Sequence, residues 1–244
     1  MGFLNFFNRK KNIIETVTIP TQTIEEMHSQ EPVISNMEIS ISSKNGIEQY
    51  KSDVAKIDGG NDVLVIIVGI NGSVYGYENK YYRIAKRANA IYGSTVFIFA
   101  NDERNWCEPK VYFNEIIKHV KKNTVDLNNI KIKLFGYSAG ALYASFFAWE
   151  YPEITNLLLV NPPLMDYLEL TIDRMKAFSG NSTLVVGKYD PYYKLGELFT
   201  IEEYKDIFNN VVLFDGADHF FKGLLNEFIN LPFQYLYERV SIII

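Results

Sequence analysis

Three stretches of this 244-residue sequence carry side chains whose types and placement suit nucleophilic chemistry. The first is Ile130-Lys-Ile-Lys-Leu-Phe135, followed at once by Gly136-Tyr-Ser138-Ala-Gly140 and then by helix-forming Ala141-Leu-Tyr-Ala. An apolar strand, a G-x-S-x-G turn and a helix, in that order, form a nucleophile elbow. The turn is so tight that its flanking positions have to be nearly free of side chain, hence Gly136 and Gly140. Ser138 is therefore expected at the tip, beyond the carboxyl end of the strand, with the positive end of the next helix aimed at the site. The bland reading is a tight turn that happens to contain a serine.

A serine hydroxyl at its ordinary pKa is a weak nucleophile and needs a base within hydrogen-bond reach. The chain has three histidines. His28 falls in a polar N-terminal stretch, and His119 stands among Lys118, Lys121 and Lys122 on what reads as a solvated helix face. His219, in Phe214-Asp-Gly-Ala-Asp-His219, directly follows the last apolar run. That puts it on a loop at the same carboxyl edge, where open α/β sheets build their sites. An imidazole base needs a carboxylate to fix its tautomer and stabilise the imidazolium. Gly187-Lys-Tyr-Asp190-Pro191 follows another apolar run and supplies one in Asp190; Asp166 is a rival acid, while Asp215 and Asp218 read as turn residues.

Charge that develops on an attacked carbonyl oxygen needs donors. One is expected from the backbone N–H of Ala139, the residue after the serine, and the other from the loop after strand 63–68. That loop is Gly69-Ile-Asn-Gly-Ser73, with Ile70 the expected donor. The Asn71 side chain either assists or belongs to a plain Asn-Gly turn. Tyr75, Tyr189, Tyr192 and, beside the serine, Tyr137 are candidate substrate contacts, since aromatic walls suit an acyl chain or ring. The chain holds 17 tyrosines, so abundance alone is an equal explanation.

These motifs, taken in chain order, resemble a serine hydrolase of the α/β-hydrolase fold. The agreement covers about residues 37–244: an oxyanion loop after the third strand, G-Y-S-A-G, G-x-x-D after a strand, and G-x-x-H after the last strand. Esterases, lipases, thioesterases and peptidases with this layout work through an acyl-enzyme, and the resemblance implies that class of activity with Ser138, Asp190 and His219 as the triad. One departure is Val68-Gly69, where the family often has His-Gly.

Positioning such residues takes a particular scaffold. Met37, Ile39 and Ile41 alternate with Glu38, Ser40 and Ser42, the period-2 pattern of a half-buried strand, and Asn45-Gly46 reads as a hairpin turn into a second strand over 47–57. Thereafter near-continuous aliphatic runs (63–68, 95–100, 130–135, 157–160, 183–186, 211–214) alternate with helical spacing at 80–91, from Pro109 onward, 139–151, 167–178 and beyond Lys222. The alternation predicts an α/β fold: a mostly parallel, twisted sheet of about eight strands with an antiparallel N-terminal hairpin, helices on both faces and a minimal cap. Only 19 residues separate Pro163 from Thr183, room for one helix and a turn.

Composition agrees with such a domain. The sequence is 48% hydrophobic and 22% charged, with net charge −5, which argues against a nucleic-acid binder. Its single cysteine, Cys107, allows no disulfide within the chain and no thiolate zinc cluster, and it has no elbow around it. No metal or organic cofactor is expected. Residues 1–36 read as a tail or linker and 37–244 as one hydrolase domain. Phe3, Leu4, Phe6 and Phe7 precede Arg9, Lys10 and Lys11, an order opposite to that of a secretory signal. Residues 1–11 are either a foot at a membrane surface or a frayed terminus, the latter favoured, and the expected location is cytoplasmic. The function these features suggest is hydrolysis of a carboxylic ester or thioester. A peptidase or amidase of the same fold, or a non-catalytic binder on that scaffold, are the alternatives.

Overall fold

The computed structural model describes residues 31–43, 46–102, 108–124 and 129–237. Eight strands form one sheet: β1 (Val33–Ser43), β2 (Gly46–Ile57), β3 (Gly60–Ile67), β4 (Ser94–Phe99), β5 (Lys131–Tyr137), β6 (Ile154–Val160), β7 (Asn181–Gly187) and β8 (Asn210–Phe214). Their order across the sheet is β1-β2-β4-β3-β5-β6-β7-β8. β1 pairs antiparallel with β2 and β2 antiparallel with β4, whereas every pair from β4 to β8 is parallel.

The aliphatic runs become central strands because both of their faces are covered. Val63, Val65 and Ile67 point into one apolar cluster and Leu64, Ile66 and Val68 into the other, all fully buried. Helices α1 (Lys80–Tyr92) and α6 (Leu225–Tyr235) close the second cluster. Helices α2 (Pro109–Lys122), α3 (Ala139–Phe147), α4 (Leu168–Ala177) and the short α5 (Tyr193–Leu198) close the first. Among the described residues, no helix is long and apolar enough to cross a membrane.

Several boundaries differ from the sequence expectation. β1 begins at Val33 rather than at Met37, because Val33 to Asn36 continue the ladder opposite Asp53 to Lys56 although their side chains are not in the core. The register pairs Ser43 with Gly46, so Gly46 opens β2 and the intervening residues 44–45, including Asn45, lie outside the described set. The helix expected over 139–151 is α3 followed by a separate 3-10 turn, Ala148–Glu150. Another 3-10 turn, Met165–Tyr167, precedes α4, and together they are all the regular structure between β6 and β7. Helix α5 was not anticipated, since a six-residue helix has too little periodicity to register.

His119 is the clearest correction among single residues. It does not lie on a solvated face: its ring meets Phe97 and Phe99 edge-on at 6.2 and 5.8 Å. Burial, aided by Lys122 and Lys56, lowers its pKa and favours the neutral ring. Lysine neighbours in sequence project differently from a helix, so a run of charges hid an aromatic contact. His28, Cys107 and residues 1–11 lie outside the described residues.

Lys80, the first residue of α1, is 7% exposed, and its ammonium lies 4.1 Å from the ring centre of Phe228, 4.4 Å from Tyr137 and 5.0 Å from Tyr81. Desolvation lowers its pKa to about 8. Below about pH 8 the group is charged in both folded and unfolded chains and its desolvation cost is present in full. Between about 8 and its ordinary 10.5 the folded chain has released the proton and the unfolded chain has not, so stability rises with pH. A lysine-to-methionine change at this position removes that slope. Thermal melts of Lys80→Met and wild type should differ most near pH 7 and converge by about 3 kcal/mol in the variant's disfavour as pH approaches 10.5; parallel pH profiles would contradict it.

Candidate active site

Ser138 lies between β5 and α3, and the chain turns so sharply there that its backbone sits at φ 53°, ψ −120°. A non-glycine residue with positive φ is strained by about 1–3 kcal/mol and persists only when its surroundings enforce it. Those surroundings are close-packed. A Cβ on Gly140 would lie 2.2 Å from the carbonyl oxygen of Ile67 and 2.7 Å from that of Val68; a Cβ on Gly136 would lie 2.6 Å from Cα of Ala141. The first turn of α3 therefore packs backbone to backbone on the end of β3, and no side chain fits between. The serine N–H donates to the carbonyl of Val160 at 2.9 Å, which ties the turn to the end of β6.

Three side chains from three loops meet here. Ser138 Oγ is 3.0 Å from Nε2 of His219, and Nδ1 of the same ring is 2.5 Å from Oδ2 of Asp190. The Asp190 side chain is fully buried, and its other oxygen, Oδ1, accepts the N–H of Tyr192 at 2.7 Å. An ionised carboxylate only accepts, so Nδ1 carries the donated proton and Nε2 presents its lone pair to the serine hydroxyl. Such a chain can take the hydroxyl proton as the oxygen attacks an electrophile. The rival acid, Asp166, is exposed in the 3-10 turn ahead of α4. Asp218 accepts the N–H groups of Phe220 and Lys222 at 3.0 and 2.9 Å, and Asp215 pairs with Lys188 at 3.0 Å; both shape the loop.

The loop after β3 lies against the serine: a Cβ on Gly69 would be 3.1 Å from Cβ of Ser138. It is closed by a bond from Gly72 N–H to the Gly69 carbonyl at 2.9 Å, and anchored by the N–H of Asn101 on the Gly72 carbonyl at 3.0 Å. Ile70 is half exposed on this loop and Asn71 adopts φ 57°. Ala139 is the first residue of α3, where helical N–H groups have no acceptor within the helix.

The five tyrosine and asparagine candidates fall in different places. Tyr192 lies against the histidine ring at 6.4 Å, and Tyr189 is exposed beside Asp190. Tyr75 packs on Tyr82 of α1 at 5.7 Å. Tyr137 is buried: its hydroxyl donates to the carbonyl of His219 at 2.8 Å, while burial, with the Asp190 and Asp218 carboxylates adding, pushes its pKa up and keeps it a donor. Two residues near the histidine were not singled out from the sequence. Phe220 stands edge-on to its ring at 5.2 Å and is exposed. Asn161 is fully buried at the end of β6 and donates to the carbonyls of Asp218 and His219. The signal for both was position alone, next to the histidine or directly after an apolar strand at the carboxyl edge. Among the described residues, no group of three or more His, Cys, Asp or Glu is placed to hold a metal ion.

This architecture is that of the α/β hydrolases. Solved structures that share it include an alpha-beta serine hydrolase homologue from Coxiella burnetii (20% identity, 82% of this chain and 96% of that one, TM-score 0.56). A dienelactone hydrolase from Anabaena variabilis aligns with TM-score 0.60 at 17% identity, over 86% of this chain and 100% of that one. Est1E from Butyrivibrio proteoclasticus aligns with TM-score 0.57 at 14% identity, over 80% and 95%. No protein-family model and no curated protein sequence matches the chain.

The Gly140 contact gives a direct test. Gly140→Ala drives a Cβ into two backbone carbonyls that cannot yield independently, and should cost about 3 kcal/mol or more, a fall in Tm of roughly 6–12 °C. Calorimetry that found the variant as stable as wild type would contradict so close an approach of α3 to β3.

Proposed function

We propose that the protein is a serine hydrolase that cleaves a carboxylic ester or thioester through an acyl-enzyme. The observation that carries this reading is the unbroken relay from Ser138 Oγ through His219 to the buried carboxylate of Asp190, mounted on a strained turn. The names of similarly folded proteins, a serine hydrolase homologue and a dienelactone hydrolase among them, support the same class. In the first half-reaction Ser138 Oγ bonds to the acyl carbon and its proton passes to Nε2 of His219. The imidazolium, held by Asp190, returns that proton to the departing alcohol or thiol as the bond to it breaks. In the second half, water attacks the acyl carbon as it gives a proton to His219, and His219 passes that proton to Ser138 Oγ as the acyl–Oγ bond breaks, which releases the carboxylic acid and restores the serine hydroxyl. The N–H groups of Ala139 and Ile70 take the oxyanion, an interaction worth about 10²–10³ in rate per donor.

The apolar side chains exposed at the carboxyl edge of the sheet carry the substrate preference we propose. Ile70, Met165, Tyr189 and Phe220 all stand on segments that follow parallel strands, and all are exposed. Between β6 and β7 the chain builds only α4 and a 3-10 turn, which supports a small cap, with these apolar side chains as the surface offered to an acyl chain or ring.

A fluorophosphonate, which loses fluoride to an activated serine, should label wild type with the mass gain on Ser138 and leave Ser138→Ala unlabelled but folded. Ester hydrolysis should fall by at least ~10³ in kcat in Ser138→Ala and in His219→Ala, because members of such a relay act as a unit. Folded wild type that neither labels nor cleaves a panel of esters of increasing chain length would instead mark a binding protein on a hydrolase scaffold. Asp190→Asn should retain the fold and lose roughly 10³–10⁴ in kcat, since the amide can present N–H to Nδ1 and so favour the wrong tautomer. Unchanged kcat in that variant would remove Asp190 from the mechanism.

A further inference from the structure

Asn161 stands between the segment that carries Asp190 and the loop that carries His219. It follows the last residue of β6, is fully buried and adopts φ 48°, a left-handed conformation that asparagine tolerates better than most residues. Its carboxamide makes three bonds. Nδ2 donates to the carbonyl of His219 at 3.0 Å and to that of Asp218 at 3.2 Å, while Oδ1 accepts the N–H of Gly187 at 2.9 Å. Gly187 is the last residue of β7, and its own carbonyl accepts the N–H of Asp190 at 3.0 Å, so it forms the base of the turn that presents the acid. The asparagine's backbone N–H donates to Val185 at 2.9 Å, which anchors it to β7 as well.

Main-chain bonds also join the two loops, from Lys188 N–H to Phe214 and from Tyr189 N–H to Ala217, at 2.9 and 2.8 Å. Among the described residues they stop two positions short of the histidine. Beyond Ala217 the fastening passes to side chains: Asn161 on the carbonyls of Asp218 and His219, and the Tyr137 hydroxyl on that of His219 at 2.8 Å. Of the two, only Asn161 also holds the base of the acid's turn. We propose that Asn161 is a positioning residue, whose carboxamide sets the backbone of His219 relative to the Asp190 turn so that the imidazole meets both Asp190 and Ser138. A side chain here has to donate and accept at once, which an amide does and neither a carboxylate nor an aliphatic group can. The role in catalysis rests on the serine-hydrolase reading above; the placement of the ring does not.

The test uses the full chain with two substitutions. Asn161→Gly suits the left-handed backbone and removes the side chain with its carboxamide; Asn161→Asp retains the shape and turns an acceptor toward two carbonyls. The first readout is the far-downfield proton signal of the His219 Nδ1–H bonded to Asp190, which depends on ring placement and not on turnover. The second is kcat and KM for a short-chain ester. Both variants, folded by their amide spectra, should lose or broaden that signal and drop kcat roughly 100-fold with KM within about twofold, as expected for an ~1 Å misplacement of a reacting group. A folded variant that retains the signal and the wild-type kcat overturns the proposal. Tyr137→Phe removes the other bond to the same carbonyl and should leave the signal in place; its complete loss there would assign the fastening to Tyr137 and overturn the role of Asn161, even if neither Asn161 variant folds. Wild type that shows the signal but neither labels with fluorophosphonate nor cleaves esters would sink the hydrolase reading alone, with the signal in the variants still deciding the placement.

Discussion

The contact on which the site depends is the backbone-to-backbone approach of α3 to the end of β3. Gly140 lies where any Cβ would overlap the carbonyls of Ile67 and Val68, and that approach leaves the chain between β5 and α3 only the strained path that Ser138 takes. Strain of this kind has to be held by packing, and the packing is extensive: α3 lies over fully buried Leu134 and Leu159, with Ala141 and Ala144 small enough to let the helix sit low. The same close fit fixes the serine's backbone and leaves its side chain half-buried beside His219. A hydroxyl on a relaxed loop would be free to turn away from Nε2.

Parallel strands do the rest of the assembly. β3, β5, β6, β7 and β8 all end at one edge, and they are adjacent in the sheet in that order. Segments that leave them are brought together although they are distant in sequence: the Gly69–Ser73 loop after β3, Ser138 after β5, Asn161 after β6, Asp190 after β7 and His219 after β8. The strand spacing of a sheet, about 4.8 Å, sets the scale of that convergence. The imidazole has to reach across β6 and β7 from its own strand to the serine, and on the way it meets Asp190 after β7, while Asn161 after β6 bonds its carbonyl.

Much of this was legible beforehand, for identifiable reasons. The aliphatic runs at 63–68 and 183–186 announce strands covered on both faces, and G-x-S-x-G between strand and helix has few uses other than a tight turn. Helix and strand edges were less legible, because β1 gains Val33 to Asn36 from main-chain pairing that leaves no apolar pattern. His119 was misplaced for a related reason, since charge in the neighbouring sequence says little about which face of a helix meets Phe97 and Phe99. Tyr137, a candidate substrate contact beside the serine, is buried and donates its hydroxyl to the His219 carbonyl, a bond that no local pattern announces.

The sequence by itself determined the alternation of strands and helices, the sharp turn at Ser138 and the chain order of serine, aspartate and histidine. These are local matters of periodicity, side-chain volume and backbone freedom, each read within a dozen residues. Only the tertiary structure decided which carboxylate meets the imidazole, at 2.5 Å from Asp190 with Asp166 left in solvent, and that Asn161 joins two loops it does not adjoin in sequence. Those choices depend on the order of strands across the sheet and on where each turn aims its side chain. Both are set by long-range packing, to which no single stretch of sequence has access.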